Sequence, residues 1–239
     1  LIGSRAEPPR ELAQALRSAG VSVHGGSVIA RAEGGRRLAA VEVMPITGAG
    51  PRLRLACDTV GSSAGWAPAT HLWSHARGRL AFDAERQCFM TVAGTAPLAV
   101  AGSLAGAHSI AECFASAVRA LQAEAARAGF AVDAAVAPPS VEELPSSPRV
   151  DAQRIAPSGR RHRQWIDLQH DVTLADIDLA LREGFDAIEH LKRYTTTGMS
   201  VDQGKTSNLN ALLAVAAMTG RTPDAVGTTT FRPPYTPVT

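Results

Sequence analysis

The chain has 239 residues, of which 45% are hydrophobic and 19% are charged, and its formal net charge is +2. This length allows one large domain or two smaller ones. The small net charge and the lack of a long basic run exclude nucleic acid as an expected partner. No stretch reaches the roughly 18 to 20 apolar residues of a membrane span, so no membrane partner is expected either.

The three cysteines, Cys57, Cys88 and Cys113, are widely spaced. They fit neither a paired disulfide framework nor a CxxC metal site, which predicts reduced thiols in a cytoplasmic protein. The first residues read as the end of a buried strand, and the last ones, FRPPYTPVT, contain no closing helix. We therefore expect an internal piece of a longer protein.

The first part of the chain alternates between strand and helix patterns. Residues 9–20 form an amphipathic helix pattern, and residues 21–23 a short strand. A hairpin is predicted from residues 27–32 and 38–44 around Gly34-Gly35, with a further strand over residues 53–60. Strand, helix and strand in this order indicate a partial Rossmann-like, dinucleotide-binding α/β fold.

A glycine-rich stretch follows a turn and short strand at residues 82–90. Residues 98–101 predict a short apolar strand that continues through Gly102 and Gly106 into an Ala-rich helix ending near Arg127. Glycines between a strand and a helix let backbone amides approach a phosphate or a flavin ring. Close packing of the helix on the strand explains the same glycines, and the pattern alone does not decide between the two.

The second part reads as a small helical module after a Pro-rich linker. Thr173 and Asp176 predict a capping box, Gly184 a helix end, and residues 187–193 and 208–219 two further helices. A polar loop, residues 195–207, lies between these two. The predicted domains are residues 1–133 (dinucleotide-binding), 134–160 (linker), 161–222 (helical module) and 223–239 (start of another domain).

Two motifs in this part suggest chemistry and are weighed against simpler explanations. Gly204-Lys205-Thr206 resembles the end of a phosphate-binding P-loop, but Met199 stands where that motif needs glycine, which excludes an ATPase. The hydroxyls and Lys205 could still contact a phosphate, or the hydroxyls could satisfy one another. His71 and His75 lack a third metal ligand nearby, so we predict packing rather than a metal site.

Several segments together resemble one family, the alpha subunit of heterotetrameric sarcosine oxidase and its amine-oxidising relatives. The segments are LIGSRAEP, CDTVGSSAGWAP, VAGSLAGAHSIAECFASA and, most specifically, DLQHDVT through RYTTTGMSVDQGKTSN to GTTTFRPPYTPVT. Three departures stand out. Ala64 replaces a glycine and His170 an asparagine. Asp167 and Gln169 occupy the positions of the Cys-x-Cys of cluster-binding relatives, so the resemblance implies no iron–sulfur cluster and no metal site here.

The resemblance also implies cofactors and partners. NAD would bind the dinucleotide half, and FMN would lie between this subunit and the beta subunit. FAD would lie in the beta subunit, tetrahydrofolate in a later domain, and gamma and delta subunits would complete the complex. The matching cofactor-binding positions are Gly102, Ser103, Gly106, His108 and Ile110 for NAD, and Thr195, Thr196, Lys205 and Thr206 for FMN. No catalytic residue is expected in this stretch.

The expected function is therefore that of a subunit in the oxidation of sarcosine to glycine, with peroxide formed and a one-carbon unit passed to tetrahydrofolate. A non-catalytic scaffold with a structural nucleotide site is the alternative from a different class. The same enzyme role for another small secondary amine (an opine, hydroxyproline or N-methylglutamate) is the third, because this subunit is not expected to line the amine site.

Overall fold

The computed structural model describes residues 1–6, 8–63, 65–92, 98–131, 137–142 and 163–231. The described residues up to Gly65 form one compact unit, and those from Trp66 onward form a second. The helices of these residues are α1 (Arg10–Ser18), α2 (His71–His75), α3 (Ile110–Arg127), α4 (Leu174–Arg182), α5 (Ile188–Thr195), α6 (Asn208–Thr219) and α7 (Pro223–Val226). The strands are β1 (Ser27–Gly34), β2 (Leu38–Pro45), β3 (Leu53–Ala56), β4 (Leu80–Asp83), β5 (Cys88–Thr91), β6 (Trp165–Asp167) and β7 (Val172–Thr173).

The first unit combines α1 with a three-stranded antiparallel sheet in the order β1-β2-β3. The predicted hairpin is confirmed, with Val28 opposite Met44. The central strand β2 supplies the buried side chains Ala40, Val41 and Val43, as expected of the strand that has a neighbour on each side.

A parallel pairing flanks α1 and matches the predicted order of strand, helix and strand. Ile2 and His24 form a parallel bridge, in which the Gly3 amide donates to the His24 carbonyl at 3.0 Å. The predicted strand at residues 21–23 overlaps this pairing, since the Leu1 amino group donates to the Ser22 carbonyl at 2.6 Å, but the bridge itself lies one residue later, at His24.

Two other predicted strands also need correction. The strand predicted over residues 53–60 ends at Ala56, where its pairing with β2 ends. Residues 98–101 do not form a strand. The next amide, that of Gly102, donates to the Ser116 hydroxyl of α3 at 3.2 Å and not to a neighbouring strand.

The second unit contains the β4–β5 hairpin and the helical module. The predicted turn between the two strands is confirmed, since the Asp83 carboxylate accepts hydrogen bonds from the Glu85 and Arg86 amides at 2.9 and 3.0 Å. The predicted capping box is confirmed as well, because the Thr173 amide donates to Asp176 at 2.8 Å. In the module, α4, α5 and α6 bury the apolar side chains Ile177, Ala180, Leu191, Ala211, Leu212, Ala214, Val215 and Ala216.

The short helix α7 joins the hairpin to the module. Thr222 caps its N-terminus, Pro223 occupies its first turn, and the Asp224 carboxylate accepts a hydrogen bond from the Phe82 amide of β4 at 2.8 Å. Neither α7 nor α2 was predicted, since four or five residues are too few to show helical periodicity.

The compact units and the predicted domains differ in extent. Residues 66–131 group with the module and not with the first 65 residues. Compact packing does not reveal which segments are domains in the evolutionary sense. The predicted domain boundaries at residues 133, 160 and 222 therefore remain predictions. In the described parts of the chain, no helix combines the length and hydropathy needed to cross a bilayer.

Candidate functional site

The polar loop of residues 195–207 is organised by the carboxylate of Asp167, at the end of β6. This residue is only 3% exposed. Its Oδ2 accepts hydrogen bonds from the Gly198 amide at 2.7 Å and the Ser207 hydroxyl at 3.2 Å. Its Oδ1 accepts from the amides of Gln169 and His170 at 2.9 and 3.3 Å. One carboxylate therefore fixes both ends of the loop to the β6–β7 turn.

The surroundings of Asp167 favour its charged form. Burial alone would raise the pKa, but the hydrogen bonds donated by Gly198, Gln169, His170 and Ser207 outweigh burial and lower it. The carboxylate is therefore ionised at neutral pH. Sequence reasoning considered Asp167 only as a position where relatives carry cysteine and did not recognise it as the anchor of the loop.

Two glycines of the loop enclose the side chain of Asn208, the first residue of α6. Both have left-handed backbone conformations, with φ of 66° at Gly198 and 74° at Gly204. A Cβ atom at Gly198 would lie 1.9 Å from the Asn208 Oδ1, and one at Gly204 would lie 2.1 Å from it. The enclosed amide donates to the Gln203 carbonyl at 3.3 Å and to the Thr229 hydroxyl at 3.0 Å. Only glycine at these two positions leaves room for this arrangement.

Two hydroxyls of the predicted phosphate-binding set donate their hydrogen bonds to other residues of this chain. The Thr206 hydroxyl donates to the Asp202 carboxylate at 2.9 Å. The Thr195 hydroxyl donates to the Leu191 carbonyl at 2.8 Å, and Thr196 ends α5 in a left-handed conformation, with φ of 63°. Lys205 is thus the member of the predicted set that brings positive charge to the loop. Binding by these four residues stays a prediction.

A cavity of about 340 Å³ lies beside Lys205. This volume falls at the lower end of the range for small-molecule sites. Polar groups reach it from Lys205, Asn208, Thr70 and Thr229. Its apolar wall is formed by Leu80, Phe89, Ile188, Leu209, Leu212 and Phe231. A wall of this kind with one cation nearby suits a ligand that has an apolar body and an anionic group.

His71 lines the same cavity as a neutral ring. It is buried, and its ring centroid lies 3.8 Å from that of Phe231. Burial, the positive charge of Lys205 and the neighbouring His75 lower its pKa to about 4. At neutral pH this histidine is therefore uncharged and adds no positive charge beside Lys205.

The lowered pKa of His71 predicts a loss of stability in mild acid. The unfolded chain takes up this proton near pH 6.5 and the folded one only near pH 4, so stability falls as the pH drops between these values. We expect the free energy of unfolding to fall by about 2 kcal/mol between pH 7 and pH 5 because of this group. Urea unfolding at the two pH values measures it.

The matched comparison for this prediction is His71→Gln against His190→Gln, since His190 is exposed on α5. His71→Gln should remove most of the pH dependence, and His190→Gln should leave it unchanged. An equal acid sensitivity in His71→Gln and the parent protein would contradict the prediction.

The second predicted cofactor segment, from Gly102 to Ile110, forms a 3-10 helix (Gly102–Ala105) and the start of α3. The N-terminus of α3 is capped by its own residues. The Glu112 carboxylate accepts hydrogen bonds from the amides of His108 and Ser109 at 2.9 and 3.1 Å. The amides of His108 and Ser109 are therefore already paired with a carboxylate of the same helix.

Local backbone geometry accounts for the two glycines of this segment. Gly102 and Gly106 have φ of 63° and 90°. The Gly106 amide donates to the Ser103 carbonyl at 3.1 Å, and a Cβ atom at Gly106 would lie 3.1 Å from the Met90 Cε. Ile110 is 55% exposed. These contacts fit a close-packed turn, and NAD contact through these residues stays a prediction.

Comparison with solved structures defines the class of fold. The whole chain superposes on 48% of the L-proline dehydrogenase chain from P. horikoshii, with a TM-score of 0.64 at 18% sequence identity. The chain thus has the mixed α/β fold of this part of a dehydrogenase, as predicted.

Comparison of sequences shows which proteins the chain resembles. Residues 161–239 match the model of the sarcosine oxidase A3 domain. The sarcosine oxidase alpha subunit of Rhizobium meliloti (strain 1021) is 37% identical over 213 residues, which is 89% of this chain and 21% of the relative. That of Corynebacterium sp. (strain U-96) is 35% identical over 100% of this chain and 26% of the relative. The chain is homologous to a section of sarcosine oxidase alpha subunits, which confirms the resemblance, and it spans about a quarter of their length or less.

Proposed function

We propose that this chain is part of an oxidoreductase that acts on the CH–NH bond of a secondary amine, within a flavin-dependent complex of several subunits. The support is homology along 89% and 100% of the chain to two proteins named sarcosine oxidase subunit alpha. In the finer form of the proposal, sarcosine is oxidised to glycine, peroxide is formed and tetrahydrofolate accepts the one-carbon unit. Beta, gamma and delta subunits complete the assembly, and FAD belongs to the beta subunit.

The cavity beside Lys205 supports a specific role for this chain, which is to hold one side of FMN. The FAD of the beta subunit would oxidise the amine, and bound FMN would supply the chemistry that passes those electrons to oxygen. Lys205 would hold the phosphate as a charge-assisted hydrogen-bond donor. Apolar side chains such as Phe89 and Leu212 would exclude water, and His71 would stay neutral. The Asp167 carboxylate keeps the loop, and with it Lys205, in position.

For NAD the support is of a different kind, because it comes from the resemblance alone. Since Glu112 caps α3, the part of the segment in this chain would contribute packing around Gly102 and Gly106 and not a phosphate contact. Phosphate binding would then fall to other parts of the assembly.

Lys205→Ala in the assembled protein is the test of this proposal. Loss of one charge-assisted hydrogen bond of roughly 1.5–3 kcal/mol should weaken FMN binding by about 10- to 100-fold. The measurement is the FMN released by acid per complex after dialysis, together with turnover of the amine. Lys192→Ala is the matched control, since Lys192 and Lys205 are the only lysines and Lys192 lies on α5 away from the cavity lining.

The second candidate function is a non-catalytic scaffold, and the internal hydrogen bonds of Thr195 and Thr206 favour it. A loop that satisfies its own donors needs no ligand to be stable. If Lys205→Ala retains its FMN and its turnover, the cofactor role of the cavity is refuted and the scaffold role gains support. The choice among secondary amines is made elsewhere in the assembly, because nothing proposed for this chain contacts the amine.

A further inference from the structure

A second cavity, of about 320 Å³, adjoins the first and has a different chemical character. Leu80, Phe89, Thr228 and Thr229 line both cavities. The second cavity is otherwise lined by polar groups and two opposite charges, those of Arg77 and Asp224. Neither charged residue belongs to the candidate site described above.

Arg77 lies in an unusual backbone conformation beside this cavity. It follows α2 with φ of 61°, and the next amide, that of Gly78, donates to the Trp73 carbonyl at 2.9 Å. This left-handed position after a helix is normally occupied by glycine, because a side chain there is strained. Arginine therefore stands at a position where glycine would be more stable.

The charge of Arg77 is not neutralised by a neighbouring carboxylate. Within the part of the chain that the structure describes, no ion pair involves Arg77. Asp224, on the same cavity, uses its Oδ1 to accept the Phe82 amide at 2.8 Å. Its second oxygen has no hydrogen bond among the described residues. The cavity thus presents a guanidinium and a carboxylate that are not paired with each other.

We propose that the second cavity binds a small zwitterionic α-amino acid. The Arg77 guanidinium takes the carboxylate in the two-pronged geometry that arginine favours, and the Asp224 carboxylate takes the ammonium group. Arg77 and Asp224 are both exposed, so water solvates their charges, and a bound zwitterion would replace that water with one charge-assisted hydrogen-bonded pair at each end. Thr228 and Thr230 line the cavity and can bond the remaining polar atoms of the ligand. This inference does not depend on the proposed function.

The experiment measures binding of radiolabelled glycine to the protein in its native assembly by equilibrium dialysis without oxygen. Glycine is a primary amine, so an oxidase of secondary amines does not consume it. The parent protein should bind one more equivalent of glycine per chain than Arg77→Gly or Asp224→Asn does. If the variants still bind this additional equivalent, the parent protein should bind it at least 10-fold more tightly. Arg77→Gly suits the left-handed backbone, and Asp224→Asn keeps an Oδ1 for the Phe82 amide. Both variants should therefore fold, which their melting temperatures check.

Two glycine analogues and a variant of a neighbouring arginine serve as controls. Glycine methyl ester lacks the carboxylate charge and N-acetylglycine lacks the ammonium charge, so neither should displace this equivalent. Arg79→Gln is the matched control, because Arg79 is exposed and does not line the cavity, and it should bind as the parent does.

Three results would overturn the inference. The first is unchanged glycine binding in Arg77→Gly or Asp224→Asn. The second is displacement by N-acetylglycine together with full binding in Asp224→Asn, which would mean a simple anion site. The third is no such equivalent in the parent protein. Since Lys205→Ala is scored on FMN content, failure of the proposed function and failure of this inference are separate observations.

Discussion

Asp167→Ala is expected to lower the free energy of unfolding of the second unit by about 4 kcal/mol, because it removes the acceptor of four hydrogen bonds in a buried position. Donors left without a partner in the interior cost more than the loss of an average hydrogen bond. The two bonds that fix the loop, from Gly198 and Ser207, are lost together. FMN content should therefore fall in this variant, although Asp167 does not line the cavity.

Thermal and urea unfolding of the assembled protein measure this effect, and a fall in melting temperature of roughly 10 °C is expected. Asp167→Asn is the matched control, since it keeps the shape and one acceptor oxygen but loses the charge. It should cost about half as much. If Asp167→Ala unfolds like the parent protein, the carboxylate does not anchor the loop.

The pH dependence of this difference has a definite sign. The pKa of Asp167 is lower in the folded protein than in the unfolded chain. The stabilising contribution of this carboxylate is therefore complete at pH values above the ordinary aspartate pKa of about 4. It is lost as the pH falls through the lower, folded value. The stability difference between the parent protein and Asp167→Asn should therefore shrink below about pH 4. A difference that grows in acid would contradict the assignment.

Gly204→Ala is expected to destabilise the second unit by about 3 kcal/mol, the second largest effect. About 1 kcal/mol comes from forcing a side chain into the left-handed backbone conformation, and the rest from overlap with Asn208. The alanine Cβ would lie 2.1–2.3 Å from the atoms of the Asn208 amide. That amide cannot move away freely, because it donates to Gln203 and Thr229.

Gly220→Ala separates the two contributions. Gly220 has φ of 68°, and no atom lies within 4 Å of the position that an alanine Cβ would take there, so this variant should lose only the backbone contribution. In an Asn208→Ala background, Gly204→Ala should also cost only about 1 kcal/mol, because the overlap has been removed. Urea unfolding of the four proteins of this cycle measures the coupling. Equal costs of Gly204→Ala in both backgrounds would show that Asn208 is not enclosed as described.

The elements that sequence reasoning predicted well are those with strong local patterns. The helix over residues 208–219 has the predicted limits, and the capping residues Thr173 and Asp176 define the start of α4. The predictions that failed concern segments whose structure depends on distant partners. Residues 98–101 are apolar enough for a strand, but Gly102 bonds to Ser116 instead.

By itself, the sequence determined the helices of the module, the first hairpin and the family, since helix periodicity, turn residues and ordered motifs are properties of neighbouring residues. Only the tertiary structure decided what the polar residues do. It turned Thr195 and Thr206 inward, made Asp167 the centre of the loop, and brought His71 and Phe231 to the cavity beside Lys205. Burial and hydrogen-bond partners depend on residues up to 160 positions apart, such as His71 and Phe231, and no local pattern encodes such contacts.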